Sequence, residues 1–317
     1  MTDMAQKPLA LLVPLDGSRL AEAVLPTVCQ LAKRLAAPVI LLHIVEERPP
    51  ATVHGEHHLA DMMEATRYLD TIAARLQEQS IEVETHTHGP REGDVARSIV
   101  DHRREMGVQL IILCTHGGGG WRGLLFGSIA QKVLQRGSGP ILLIPTQGVK
   151  APPSFNVRQI LVLLDGTPDR EPALEQAMVV ARLFQAELRL VLVIPTLGTL
   201  SGGGAATGLL LPTTMRAVLD LAEQGATEYL DTVVKRCRAE GIAARGQVAR
   251  GDPVPAILDV AEKLPADLIV AATHGRAGLE AVLSRSVSAR VAERVACPIW
   301  LIRVSDTADT PHGAPTS

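Results

Sequence analysis

Val13-Pro14-Leu15-Asp16-Gly17-Ser18 carries an apolar run into a carboxylate, a glycine and a hydroxyl, and 149 residues later the same order returns as Val162-Leu163-Leu164-Asp165-Gly166-Thr167. An apolar run that ends in Asp-Gly-Ser reads as a buried strand, a tight turn and a helix cap. Working outward, Tyr68-Leu69-Asp70-Thr71 recurs unchanged as Tyr229-Leu230-Asp231-Thr232, and Gly93-Asp94 recurs as Gly251-Asp252. Thr115-His116-Gly117 matches Thr273-His274-Gly275, Ser128 matches Ser286 and Pro140 matches Pro298, all 158 residues apart. Chance similarity would not hold register over such a span, so the chain is a tandem duplication. The halves meet in the Pro-rich, polar stretch Gln147 to Asn156.

Within each half, short continuous apolar runs alternate with longer segments of helical period, as strands buried on both faces of a parallel sheet require. The first half supplies strands at about 9–15, 39–45, 81–87, 110–114 and 141–144; the clearest of the second are 160–164, 188–194, 268–272 and 299–302. One helical face carries Leu20, Val24, Val28, Leu31 and Leu35, and a second carries Leu59, Met62, Thr66, Leu69, Ala73 and Leu76. The fold class is therefore α/β, with helices covering both faces of a sheet in each half. Aromatic residues make up only 2% of the 317 residues, against 46% hydrophobic overall, so Ala, Val, Leu and Ile must fill these cores. The net charge of −3, with no long run of one sign, disfavours a nucleic-acid surface. No apolar run approaches the roughly 18 residues that span a bilayer, and Met1 to Pro8 lacks a signal-peptide core, which predicts a cytoplasmic protein without membrane contact. Cys29, Cys114, Cys237 and Cys297 are far apart and form no C-x-x-C pair; they read as reduced thiols, mostly buried.

Ligands of open parallel sheets bind beyond the carboxyl ends of the strands. Asp16 ends the first strand there, where its carboxylate is able to accept from ribose hydroxyls or an adenine amino group; the same three residues also read as a plain turn and cap. The run Gly117 to Gly120 follows the fourth strand, and Gly127-Ser128 opens the last helix of the half. Glycines admit phosphate oxygens to main-chain N–H groups, and a helix start adds a positive dipole end.

Pro14-Leu15-Asp16-Gly17-Ser18, Leu41-Leu42-His43-Ile44-Val45 and Thr115-His116-Gly117 followed after nine residues by Gly127-Ser128 resemble the universal stress protein family in its tandem two-domain form. The resemblance implies two tandem open parallel five-stranded sheets of the adenine-nucleotide-binding, Rossmann-like kind, domain 1 at 8–146 and domain 2 at 157–304; the stretch 305–317, rich in Thr, Pro and small residues, is expected to be a disordered tail. The resemblance also implies ATP, with Mg or Mn left open, bound by the pattern G-x-x-G-x9-G-[S/T]. Its glycines fall on Cys114, Gly117 and Gly127, with Ser128 as the hydroxyl, so one of three is replaced. By the same resemblance Pro14, Asp16 and Ile44 line the adenine and ribose pocket and Ile129 contributes backbone near the phosphates. In the second half the glycine positions are Ala272, Gly275 and Arg285, before Ser286. With Leu163, Asp165 and Val193 at the base and ribose positions, this implies a weaker second site whose phosphate loop is degenerate. The last strand of each half, Ile141 to Ile144 and Ile299 to Ile302, is expected to pair halves within or between chains.

Three functional readings follow. The leading one is an ATP-binding stress-response regulator, a nucleotide-dependent sensor or adaptor with an unidentified protein partner, compatible with a homodimer built on an intrachain pseudo-dimer. The others are a slow ATPase and a structural pseudo-dimer with no nucleotide dependence. No catalytic base suggests itself, and the P-loop, H-E-x-x-H and G-x-S-x-G signatures are absent. His54-Gly55-Glu56-His57-His58 has metal-ligand residue types but reads as a solvated loop, and His86 and His88 share a strand face with nothing to fix them against it, so no metal site is expected. Ser201 to Gly208 reads as a flexible insert.

Overall fold

The computed structural model describes residues 10–47, 51–89, 94–115, 128–137, 139–146, 155–167, 172–200, 207–208, 210–275 and 286–305. In the first half, β1 (Leu11–Pro14), β2 (Val39–Ile44), a small hairpin of β3 (Thr52–Val53) and β4 (Glu56–His57), β5 (Val83–His88), β6 (Leu110–Thr115) and β7 (Ile141–Pro145) alternate with α1 (Arg19–Glu22), α2 (Leu25–Leu35), α3 (Met62–Gln77), α4 (Val95–Met106) and α5 (Ser128–Arg136). The second half supplies β8 (Gln159–Leu164), α6 (Pro172–Phe184), β9 (Glu187–Ile194), α7 (Pro212–Ala239), β10 (Ala244–Arg250), α8 (Pro253–Lys263), β11 (Leu268–Gly275), α9 (Val287–Ala292) and β12 (Ile299–Ser305). A 3₁₀ turn, Leu197–Thr199, follows β9. No helix among the described residues is long and apolar enough to cross a membrane.

All strands but the hairpin belong to one ten-stranded sheet, ordered β10-β9-β8-β11-β12-β7-β6-β1-β2-β5. Within each half every pair is parallel, and the halves join where β12 meets β7 antiparallel, with Leu143 opposite Ile299, Leu142 opposite Trp300 and Ile141 opposite Leu301. The expected pairing of last strands is thus intramolecular. The two five-stranded sheets close each other's apolar edges, which would otherwise offer unpaired backbone to other chains.

The apolar faces sort into two layers, each continuous across the seam. One gathers Leu31, Leu69, Val162, Leu174, Leu230 and Trp300 from beneath α2, α3, α6 and α7. The other gathers Leu42, Ile99, Val133, Leu161, Ile257 and Leu301 from beneath α4, α5, α8 and α9. The landmarks of the internal repeat are helix caps and helix faces. Asp94 accepts from the N–H groups of Ala96 (3.1 Å) and Arg97 (3.3 Å) to start α4, and Asp252 accepts from Val254 (3.1 Å) to start α8.

The structure differs from the sequence reading at two elements, and two predicted segments lie largely outside the described residues. The face running from Leu20 to Leu35 is two helices, because Pro26 has no N–H for the Glu22 carbonyl and its ring crowds that carbonyl; α1 stops at Glu22 and α2 begins at Leu25. Strand β10 carries Arg, Gly and Gln, has no apolar run and escaped the sequence reading. The predicted insert at 201–208 is described only at Thr207 and Gly208, which are helical, while the predicted tail lies outside the described residues apart from Ser305, which ends β12.

Candidate functional site

In the first half the strand order 5-2-1-6-7 reverses between β1 and β6. The chain leaves β1 through α1 and α2 on one face and returns through α4 to β6 on the other, opening a crevice at the carboxyl ends. A cavity of about 400 Å³ lies there. Pro14 and Asp16 enter from β1 and its turn, Ile44 from β2, Cys114 from β6 and Ile129 from α5, so five of the eight first-half residues named from sequence line one cavity. Ser128 opens α5 beside them, whereas Gly117 and Gly127 lie outside the described residues.

The turn after β1 explains the placement of Asp16. Gly17 adopts φ +88°, which favours glycine, and a Cβ there would fall 2.7 Å from Leu59 Cδ1 and force that side chain to shift. Asp16 Oδ1 accepts from the Ser18 N–H at 2.9 Å and the Ser18 hydroxyl at 2.6 Å, while Ser18 Oγ accepts from the Ala21 N–H at 3.1 Å and caps α1. Turn, cap and site are therefore one construction. One carboxylate oxygen is held by the turn, and Oδ2 lies 3.5 Å from His54 Nε2.

The segment from His54 to His58 is a hairpin turn and strand rather than an irregular loop; His54, Gly55 and His57 are exposed, as expected, but His58 is buried. His54 (φ 53°) and Gly55 (φ 80°) form the two-residue turn between β3 and β4, and the hairpin brings Val53, His54 and then His58 to the cavity wall. Glu56 accepts from the Arg19 N–H at 3.3 Å and pins the hairpin to the start of α1. His58 is only 4% exposed, with Nε2 3.6 Å from Glu46 Oε1 and a buried Nδ1 that has no partner. His43 Nδ1 lies 2.7 Å from the Leu15 carbonyl and donates to it, leaving Nε2 buried and unpartnered. Burial pushes the pKa of His43 down; the Leu15 and Leu59 carbonyls oppose this and the neighbouring His58 adds to it. No group of three or more His, Cys, Asp and Glu side chains converges as a metal site among the described residues.

The remaining wall is apolar: Leu42 and Ile44 from β2, Val95 and Ile99 one turn apart on α4, and Ile129 from α5. Among the described residues lining the cavity, Lys132, one turn into α5, supplies a cation, and Asp16 and Glu46 supply carboxylates. Cys114 is buried against Asp16; burial first, then that carboxylate, push its thiol up to about 12, which leaves it protonated and unreactive. Sequence reading missed His58, His54, Val95, Ile99 and Lys132. His54-Gly55 between the pairs Thr52-Val53 and Glu56-His57 was a hairpin signal, and Val95/Ile99 at four-residue spacing marked an inward helix face.

In the second half, Asp165 Oδ1 accepts from the Thr167 N–H at 2.9 Å across Gly166 (φ +81°), repeating the Asp16 turn. Leu163 and Val193 stand on neighbouring strands, Gly275 ends β11, and Ser286 Oγ caps α9 by accepting from the Ala289 N–H at 3.2 Å. Arg285 lies outside the described residues.

Against known proteins, the model of the universal stress protein family matches twice, at residues 10–145 and 156–303. A universal stress protein of Mycolicibacterium smegmatis is 27% identical over 310 residues, covering 92% of this chain and 96% of its own. A universal stress protein of Methanocaldococcus jannaschii is 28% identical over 146 residues, 46% of this chain and 82% of its own. Among solved structures, a universal stress protein from Archaeoglobus fulgidus superposes with a TM-score of 0.67 at 19% identity, covering 95% of this chain and 98% of its own, so the fold is shared across both halves.

Proposed function

The chain belongs to the universal stress protein family, and on that premise we propose that its first half, residues 8–146, binds ATP and acts as a nucleotide-dependent regulator. Residues 157–304 form a second domain with a degenerate phosphate loop. The observation that carries this reading is the cavity of about 400 Å³ at the strand-order reversal, lined by Pro14, Asp16, Ile44, Cys114 and Ile129.

The chemistry divides along the cavity. Leu42, Ile44, Val95, Ile99 and Ile129 offer an apolar slot for a flat heteroaromatic base. Asp16 Oδ2 is the acceptor left over from the turn and suits a ribose hydroxyl, and the unpartnered Nδ1 of His58 offers a polar atom to a base edge. At the other side the start of α5 at Ser128, with Lys132 one turn further on, favours the negative charge of phosphates. A divalent cation accompanying ATP would be held chiefly by those phosphates. No described residue in the cavity pairs a nucleophile with a positioned base, which favours a bound-nucleotide signal to a protein partner over turnover.

Calorimetric titration with ATP and GTP tests the reading. One ATP per chain is expected, with Asp16→Ala weakening it about tenfold or more. Absence of saturable nucleotide binding at millimolar concentration would overturn it. Single-turnover hydrolysis separates regulator from slow ATPase: bound ATP that persists supports the first, and prompt release of phosphate supports the second.

A further inference from the structure

A second cavity, about 330 Å³, lies on the α2/α6 face at the seam between the halves, away from the nucleotide cavity and sharing no residue with it. Its walls are Leu31 and Leu35 of α2 and Val179 and Leu183 of α6, and Trp300 of β12 lies beneath them. The two helices are tied across the seam by Arg34, which donates to the Leu183 carbonyl at 3.2 Å and stacks 4.6 Å above the Phe184 ring. The groove therefore exists only because two halves share one sheet.

Two polar groups in this apolar groove are unsatisfied. Trp300 is 6% exposed, and its indole N–H is buried with no acceptor. Arg103 has a buried Nε–H with no acceptor and no carboxylate within ion-pair distance among the described residues. Burial, then the like charge of Arg104, lower its pKa. Its guanidinium fills the space that a side chain on Gly139 would take, at a glycine with φ +104°, so chain geometry leaves room for the charged head there. Buried donors without partners are rare and costly, and an apolar groove with a charged group in its wall is a usual form of a small-molecule site.

We propose that this groove binds a small organic carboxylate carrying an apolar body, the carboxylate accepting from the terminal N–H groups of Arg103 while the body packs between α2 and α6 over Trp300. A guanidinium matches a planar carboxylate in geometry and charge, and no neutral group would answer its charge equally. A ligand seated here touches both halves and bridges their seam.

The test compares 3-phenylpropanoate with the neutral, near-isosteric 3-phenylpropanamide by calorimetric titration of the intact chain, with and without saturating ATP. The acid should bind once per chain and at least about tenfold more tightly than the amide, undisturbed by ATP. Arg103→Gln should abolish that preference. Equal affinity for acid and amide, displacement of the acid by ATP, or no saturable binding of the acid up to about 10 mM would each overturn the proposal. The acid–amide comparison needs no variant, so a substitution that unfolds the chain leaves the test intact.

Discussion

At the residue scale, Asp16, Gly17 and Ser18 show how a fold-defining turn and a site share atoms. Ser18 both caps α1 and holds Asp16 Oδ1. Ser18→Ala is expected to cost about 1 kcal/mol of stability through the lost cap and to weaken ATP binding by loosening Asp16; denaturant midpoints at constant slope, with calorimetry, check both. His43 makes a prediction about pH. Its folded-state pKa lies below the ordinary value of 6.5 because the ring is buried, so the unfolded chain takes up the proton first. Stability is therefore full above about pH 7 and declines as pH falls through 6.5 towards the lower folded value. His43→Gln should flatten that decline in melts recorded from pH 5 to 8, and an unchanged slope would show that other groups dominate it.

At the element scale, the β3–β4 hairpin contributes little to the core yet walls the cavity. Its turn needs φ 80° at Gly55, where nothing lies within 4 Å of a would-be Cβ, so Gly55→Ala is penalised by backbone conformation alone. The expected outcome is a several-fold loss of ATP affinity with little change in the melting midpoint, measured on the same preparation. Helix α5 is held at both ends of its function. Its start faces the cavity, and its last carbonyls, those of Gln135 and the following Gly137 (3.1 Å), accept from Arg303 of β12. A cation at a helix carboxyl end is favourable, and here it comes from the other half of the chain. Arg303→Met should destabilise the protein by roughly 1 kcal/mol and increase amide exchange across α5; exchange confined to β12 would show that α5 does not depend on it.

At the scale of the whole molecule, the antiparallel β7–β12 pair turns two domains into one sheet with two continuous cores. Leu143 and Leu301 are fully buried at that seam. Leu143→Asp places a charge where no partner waits and should cost at least about 3 kcal/mol. Because the pairing is within the chain, the expected sign is a lowered and broadened melt rather than a change in mass by sedimentation. An unchanged melt would show that the halves are held by other contacts.

The duplication, the α/β class and the position of the cavity were legible in sequence because each rests on local chemistry: buried parallel strands write continuous apolar runs, and Asp-Gly-Ser writes a turn and cap. Asp16 was found that way, whereas Pro14, Ile44, Cys114 and Ile129 were named by the family resemblance, which also supplied the pairing of residues far apart in the chain. Strand β10 was not, because an edge strand with the pattern Ala-Arg-Gly-Gln-Val-Ala-Arg buries too little to write an apolar run. Nor were His54 and His58, whose roles depend on where a six-residue hairpin folds back. Only the tertiary structure decided that the last strands pair within one chain, since an apolar edge strand specifies that it must be covered and not by which copy. The same packing alone brought Arg103 and Trp300, nearly 200 residues apart, to one groove.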